Sequence, residues 1–443
     1  MRFFPASLLL LLGACAFGPR SPITSPPWQC QPIWNGVDLA GWHGQRHFDP
    51  YQLDTMSMEE RQKLRAADDA TLTHWQCVNG ELVNDGEGAY LTTDRHYGDV
   101  DLRLEYKTVA KADSGIYLRG TPQVQIWDTT EAGGKHNLGA DKGSGGLWNN
   151  DAKGAWNGAQ NARMPLVLAD QPFGEWNTLR ILQVGERVLV WLNGARVVDW
   201  VVMENFWNRK LPLRAHGPIQ LQTHGGEIRF RNVTAHELTA SESHAVLRER
   251  SGEGFETLFD GSSLAAFEGA LDNYDITDGA IRCKEGKGGT LYTKQVYGDF
   301  HARLQFRLPP SGNNGLAIRY PGKGDAAFDA IEIQVLDDTS AQYATLQPWQ
   351  YHGSLYGLVA AHRGHLRPVG EWNYEEVEVR GSRIRVTLNG TTILDADVSK
   401  LEQPLSGKEH AGRNRTEGRF GFCGHNDPVE FRDVAIRRLT PAN

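Results

Sequence analysis

The chain is written in short runs that alternate apolar and polar residues. Val100, Leu102, Leu104 and Tyr106 alternate with Asp101, Arg103 and Glu105, and residues 300–306 repeat the pattern. A period of two sends successive side chains to opposite faces of a strand, so each run reads as a strand with one face in a core. Asn193-Gly194 and Asn389-Gly390 sit between such runs, and Asn-Gly accepts the positive φ angles of a two-residue hairpin turn. One stretch departs from this rhythm. Within residues 45–73, SMEERQKLRAADDA reads as a helix that Ser57 caps while Glu60 reaches back. Many short strands joined by tight turns imply two sheets packed face to face, an all-β sandwich or jelly roll.

The pattern occurs twice. YGDVDLRLEYK from Tyr97 answers YGDFHARLQFR from Tyr297, DSGIYLR from Asp113 answers NNGLAIR from Asn313, and VQIWD from Val124 answers IQVLDD from Ile333. Downstream, GEWNTLRI from Gly174 answers GEWNYEEV from Gly370, and WLNGARVVD from Trp191 answers TLNGTTILD from Thr387. IQLQTHGGEIRFRNV from Ile219 answers FGFCGHNDPVEFRDV from Phe420. Six blocks in one order are an internal duplication. The polar stretch between the copies reads as a linker with one helical turn at residues 245–250. The expected division is residues 1–15 as a signal segment, 16–30 as a tether, 31–238 as the first domain, 239–254 as the linker and 255–440 as the second domain. The helical stretch has no counterpart in the second copy, so it either edges a binding face of the first domain or is a plain surface helix.

Composition agrees with two globular domains: 443 residues exceed one ordinary core, and 49 Gly against 5 Met favour turn-rich β structure. A net charge of -8, with no basic run interleaved with aromatics, excludes nucleic acid as a partner. Arg2 precedes an apolar run at residues 8–12 that is too short to cross a bilayer, which marks an export signal. The run ends in Leu12-Gly13-Ala14-Cys15, which resembles the bacterial lipobox. Cys15 is therefore expected to carry lipid and to anchor the chain to a membrane as a lipoprotein of the bacterial periplasm or outer membrane. An ordinary signal peptide that discards Cys15 is the other reading. Cys30, Cys77, Cys283 and Cys423 remain, an even number for an oxidising compartment, with three connectivities open and a Cys283 to Cys423 bridge favoured. Their spacing is not that of a zinc cluster.

Several blocks also carry a family resemblance: LFDGSSL from Leu258, YGDF, the segment ending in Arg319, the E-x-Q-x-x-D strand from Glu332, GSLYG, EWN, LNG and the closing H-x-x-x-x-x-FR from His425. Together they resemble the DUF1080 family, the 3-keto-disaccharide hydrolases, over nearly all of both halves. The resemblance implies a concanavalin A-like jelly roll in each copy and hydrolysis of glycosides whose sugar is oxidised at carbon 3. A ketone there acidifies the hydrogen on carbon 2, so cleavage can run by proton removal, loss of the aglycone and addition of water.

The second copy carries Glu332, Gln334 and Asp337 where the first has Gln123, Gln125 and Asp128, and Gln123 cannot act as a base. The second copy is therefore expected to hold the more complete site. Glu332 is the candidate base, Arg319 the cation for the enolate oxygen, His425 the acid, and Asp337 a group that orients His425 or binds a cation. Gln334, with His352 and Tyr356 in the YHGSLYG segment, is expected to contact substrate. The first copy keeps Arg119, Gln125, Asp128 and His224, and Trp127 and Trp148 offer faces for sugar rings. A divalent cation such as calcium is a candidate cofactor. Plainer roles stand beside these: Arg119 and Arg319 as structural ion pairs, Asp128 and Asp337 as turn caps. The alternatives for the whole chain are a lectin-like carbohydrate-binding lipoprotein without catalysis, or a surface scaffold.

Overall fold

A computed structural model describes residues 28–151 and 161–440. Cys15, the signal segment and most of the expected tether lie outside the described residues. Each copy is a sandwich of one eight-stranded and one five-stranded antiparallel sheet, so the molecule is two tandem concanavalin-like jelly rolls. In the first domain the five-stranded sheet runs Trp42–Gln45, Tyr90–Thr93, Ile219–Leu221, Asp113–Leu118, Thr121–Trp127. In the second the same places are held by Phe267–Gly269, Gly288–Thr293, Arg419–His425, Asn313–Tyr320 and Ile331–Leu336. The larger sheets correspond in the same way. Val100–Thr108 lies between Asn177–Val184 and Ile228–Glu237, as Phe300–Arg307 lies between Trp372–Arg380 and Glu430–Arg438.

The apolar positions of the alternation enter the cores, although Asp101 and Gln305 on the opposite face are buried as well. Val100, Leu102, Leu104 and Tyr106 enter one core, and Phe300, Ala302, Leu304 and Phe306 the other. Both Asn-Gly pairs turn hairpins with left-handed φ, 51° and 81° at Asn193 and Gly194, 48° and 80° at Asn389 and Gly390. The insertion forms two helices, Pro50–Thr55 and Met58–Asp69, the second with the Ser57 and Glu60 capping box in place. It packs on the edge strand Trp42–Gln45, where a Cβ at Gly44 would come within 2.7 Å of the Asp68 carbonyl oxygen. Only glycine lets the helix lie this close.

The linker differs from expectation. It is a helix, Ala240–Arg250, capped by Thr239 and Glu242, and it is wedged into the seam. Val246 and Leu247 pack with Leu182, Val184 and Leu189 of the first domain and Tyr374 of the second. Two large apolar residues among eleven are too few to show helical periodicity, so the segment reads as polar although its buried face is what joins the domains.

The expected disulfide does not form, and all four described cysteines are free. Cys283 lies in the core between the sheets, while Cys423 lies on the outer face of the five-stranded sheet beneath Ala326 and Ala330. The sheet itself separates the two sulfurs.

Candidate functional site

Strand parity raises a polar patch on the outer face of the first domain's five-stranded sheet. Asp113 and Tyr117 from one strand, Gln123, Gln125 and Trp127 from the next, and Gln222 with His224 beyond them line a cleft of ≈ 490 Å³. Asp113 is its centre. Its carboxylate accepts from Gln125 Nε2 at 2.7 Å, pairs with His224 Nδ1 at 2.9 Å, and binds the Lys135 ammonium. Burial alone would raise this carboxyl, but the bonds from His224 and Lys135 outweigh it and hold Asp113 below the usual carboxylate range. The same bond holds the His224 imidazole above its ordinary 6.5, against the opposing effect of burial. Asp113 is 10% exposed and His224 is 60% exposed, so the acid sits behind the imidazole and Nε2 is left for exchange with a ligand.

Two further features suit a polyhydroxylated ligand. Gln123 donates to Gln125, and Gln222 donates to the Tyr90 hydroxyl at 3.1 Å, yet the side-chain carbonyl oxygen of each is buried without a partner. Both crowd the spot above Gly115, where a Cβ would lie 2.6 Å from one and 3.0 Å from the other. A buried acceptor without a donor costs about 1–3 kcal/mol, which a sugar hydroxyl would relieve. The walls are aromatic. His47, carried by the insertion, lies 4.6 Å from Trp207 and 5.7 Å from Tyr117, and Phe206 and Trp148 complete the rim.

In the second domain the acid has changed strands. Asn313 stands at the place of Asp113, Glu332 at that of Gln123, and His425 at that of His224, as the strand registers require. Glu332 Oε1 lies 3.4 Å from His425 Nε2, and Gln334 donates to Asn313 Oδ1 at 2.7 Å. Burial pushes the Glu332 carboxyl up, and the contact with Glu332 raises His425. This patch is partly sealed. The longer connection between its two strands forms a short helix, Ala326–Asp329, whose Ala326 packs with Ala330, Ala317, Tyr320 and Cys423. Ala317 and Cys423 hold the places of Tyr117 and Gln222, so small side chains under a lid replace the ring and amide of the first domain.

The family model of the 3-keto-alpha-glucoside-1,2-lyase-like domain matches residues 29–235 and again 254–437. The chain belongs to this family. A 3-keto-disaccharide hydrolase of Bacteroides thetaiotaomicron is 24% identical over 244 residues, covering 46% of this chain and 84% of that protein. A crystal structure of a candidate glycosyl hydrolase from Parabacteroides distasonis is 26% identical, covers 42% of this chain and 100% of its own, and has a TM-score of 0.39. The carbohydrate-binding module CBM66 of Bacillus subtilis is 13% identical over 39% of this chain and 95% of its own, with a TM-score of 0.27.

Within the two lyase-like domains, several expected site residues do other work. Arg119 and Arg319 both have φ of 55°, which rotates them out of strand alternation. Arg319 binds Asp299 at 3.3 Å and the Arg415 carbonyl at 2.8 Å, and Arg119 binds Asp99 at 3.1 Å and the Arg214 carbonyl at 2.9 Å. They are buried clamps at the strand ends, and Arg319 does not face Glu332. Asp337 accepts from the Ser311 and Thr339 amides at 2.8 and 3.1 Å, and Asp128 from those of Lys111 and Thr130 at 2.7 and 2.8 Å. Both are turn caps, so Asp337 neither orients His425 nor offers a free oxygen to a cation.

His352 lies under the sheet, not over it. Its ring lies tilted against Phe306 with centroids 5.0 Å apart, and Nε2 is 3.8 Å from the Glu375 carboxyl. Burial drives His352 down to about 3 and Glu375 up to about 8. Tyr356 is on the outer face, packed beside Phe328 and Trp349, where Gln350 donates to its hydroxyl at 3.2 Å. Trp127 is only 4% exposed, with Nε1 bound to the Gly143 carbonyl, which leaves Trp148 as the more accessible ring of that pair. Gln125 and His224 lie in the cleft as expected. Asp113, Lys135, His47, Tyr117 and Gln222 were not anticipated. The readable signal for Asp113 is the exchange of Asp113 and Gln123 for Asn313 and Glu332 between matched blocks.

Calcium does not fit this donor set. The oxygens of Asp113 are taken by Gln125, His224 and Lys135, and among the described residues no three His, Cys, Asp or Glu side chains converge to hold a metal.

Proposed function

We propose that the chain hydrolyses 3-keto-glycosides or 3-keto-disaccharides by elimination and rehydration, and that the first-domain cleft is where it does so. The observation that carries this reading is the Asp113, His224 and Lys135 cluster on the floor of an open, ring-walled cleft with two unpaired acceptors. Neutral His224 takes the carbon 2 proton through Nε2, and the electron pair of that bond forms the enolate with the carbon 3 ketone. Asp113 stabilises the imidazolium that results, and the Lys135 ammonium counters charge on the enolate oxygen. Collapse of the enolate forms the carbon 1–carbon 2 double bond and expels the aglycone oxygen, which receives the proton from His224. Water then adds at carbon 1 and a proton returns to carbon 2, so the net change is hydrolysis. Gln123 and Gln222 accept substrate hydroxyls, and Trp148 and Phe206 flank the ring.

Turnover in heavy water tests the chemistry. Elimination places solvent deuterium on carbon 2 of the released sugar beyond the level of an enzyme-free control, whereas direct displacement at carbon 1 does not. A second reading, a carbohydrate-binding module, is favoured by the amide-rich floor, and it predicts sugar binding with no release. We also propose export and anchoring through Cys15. Its replacement by Ser should move the protein from the membrane fraction to the soluble one, and unchanged membrane association would oppose the anchor.

A further inference from the structure

Where the domains meet they form a second cleft of ≈ 490 Å³, chemically unlike the first. His96, Arg214 and His216 line it from the first domain, His362 and His365 from the second. The seam around it is closely tied. Ser243 and Arg367 both bind Asp99, at 2.7 and 3.1 Å, and Thr392 donates to Glu186 at 2.8 Å.

The ionised side chains that line the cleft, Arg214, Arg363 and Asp54, are paired, and Arg119 and Arg367 lie behind it in the seam. Arg214 is paired with Asp54 at 2.8 Å and Arg363 with Asp338 at 3.2 Å, while Arg119 and Arg367 share the single carboxylate of Asp99. Glu237, the remaining acid near His216, is bound by Arg95. The imidazoles of His96, His216 and His362 make no hydrogen bond among the described residues. Burial is the main cause that holds His96, His216 and His365 below the usual histidine range, and Arg214 or Arg119 adds to it in each case. Neutral imidazoles beside guanidinium groups are poised to accept protons once a negative charge enters. Tyr51, the other titratable side chain of the cleft, adds with Leu211 and Pro212 an apolar edge of the kind a sugar ring covers.

We propose that the junction cleft binds a small anionic saccharide, whose phosphate or carboxylate is held by His96, His216, His362 and His365. The volume falls within the roughly 300–1,000 Å³ of small-ligand sites. The cleft exists only because the domains dock, and it shares no lining residue with the first-domain cleft, so the two sites fail or stand separately.

Calorimetric titration of the whole protein with glucose 6-phosphate and with glucuronate tests the proposal, with glucose and inorganic phosphate as controls. At least one of the anionic sugars should bind more tightly at about pH 6 than at about pH 8, with net proton uptake, because bound anion raises the histidines. The His216→Gln, His362→Gln double variant leaves the buried His365 and the seam contacts of Asp99 in place and should weaken that binding by about tenfold or more. Its release of sugar from a 3-keto-glycoside should match the parent protein. The proposal is overturned if neither anionic sugar binds at about pH 6, if the double variant binds as well as the parent, or if phosphate alone binds as tightly as the sugar phosphate.

Discussion

Asp113 and Glu332 serve one geometry from neighbouring strands. Each puts a carboxylate beside the histidine at the end of the central strand, and each is matched by an amide where the other domain has its acid. The histidines and Gln334 were legible because strand parity and the repeated blocks place them on one face. Asp113 was not, because its role depends on which strands are neighbours in the sheet, and no local spacing reports that. Arg119 and Arg319 were misread for a different reason: a left-handed φ at a single position turns a side chain off its strand face.

At this scale Asp113→Asn should remove the partner that raises His224, so the histidine titrates lower. In the proposed mechanism His224 must start neutral, and activity rises as pH increases through its folded value. The rising limb of the pH profile, above 6.5 in the parent, should move to lower pH in the variant while the maximal rate falls by about 10²-fold or more. Glu375 gives a stability prediction. Its folded value of about 8 lies above its ordinary 4.5, so its contribution is complete below 4.5 and is lost as pH rises through about 8. Leu179 occupies the matching position in the first domain, opposite Leu104 as Glu375 is opposite Leu304. Glu375→Leu should therefore raise Tm, with a larger gain at about pH 8 than at about pH 5 in differential scanning calorimetry.

Among the elements, the helix Met58–Asp69 could be read with its cap because Ser57 and Glu60 form a local signature. The seam helix carries the same signature in Thr239 and Glu242 but no readable apolar stripe, since its buried face meets surfaces supplied by both domains. Leu247 packs in that seam and reaches Gly390 of the second-domain hairpin. Leu247→Ala should cost about 2–5 kcal/mol in chemical denaturation, the range for a buried leucine. A loss well under 1 kcal/mol would mean that the helix is only a surface connection. The short helix Ala326–Asp329 shows the same limit of local reading, because its consequence is the sealing of a patch on strands distant in sequence.

For the molecule as a whole, duplication and the two-sandwich fold were legible from six ordered blocks, but the rigidity of their union was not. Gly185 has φ of 58°, and a Cβ there would lie 2.3 Å from the backbone of Gly390 across the seam. Gly185→Ala should lower Tm and split one thermal transition into two, whereas an unchanged single transition would show that the domains do not depend on this contact.

The most direct test of the central claim is sugar release from a 3-keto-glucoside by the parent protein, Asp113→Asn and Glu332→Gln, assayed side by side. The account predicts release by the parent, a loss of about 10²-fold or more in Asp113→Asn, and near-parent activity in Glu332→Gln. No release by the parent, or a loss confined to Glu332→Gln, would contradict it.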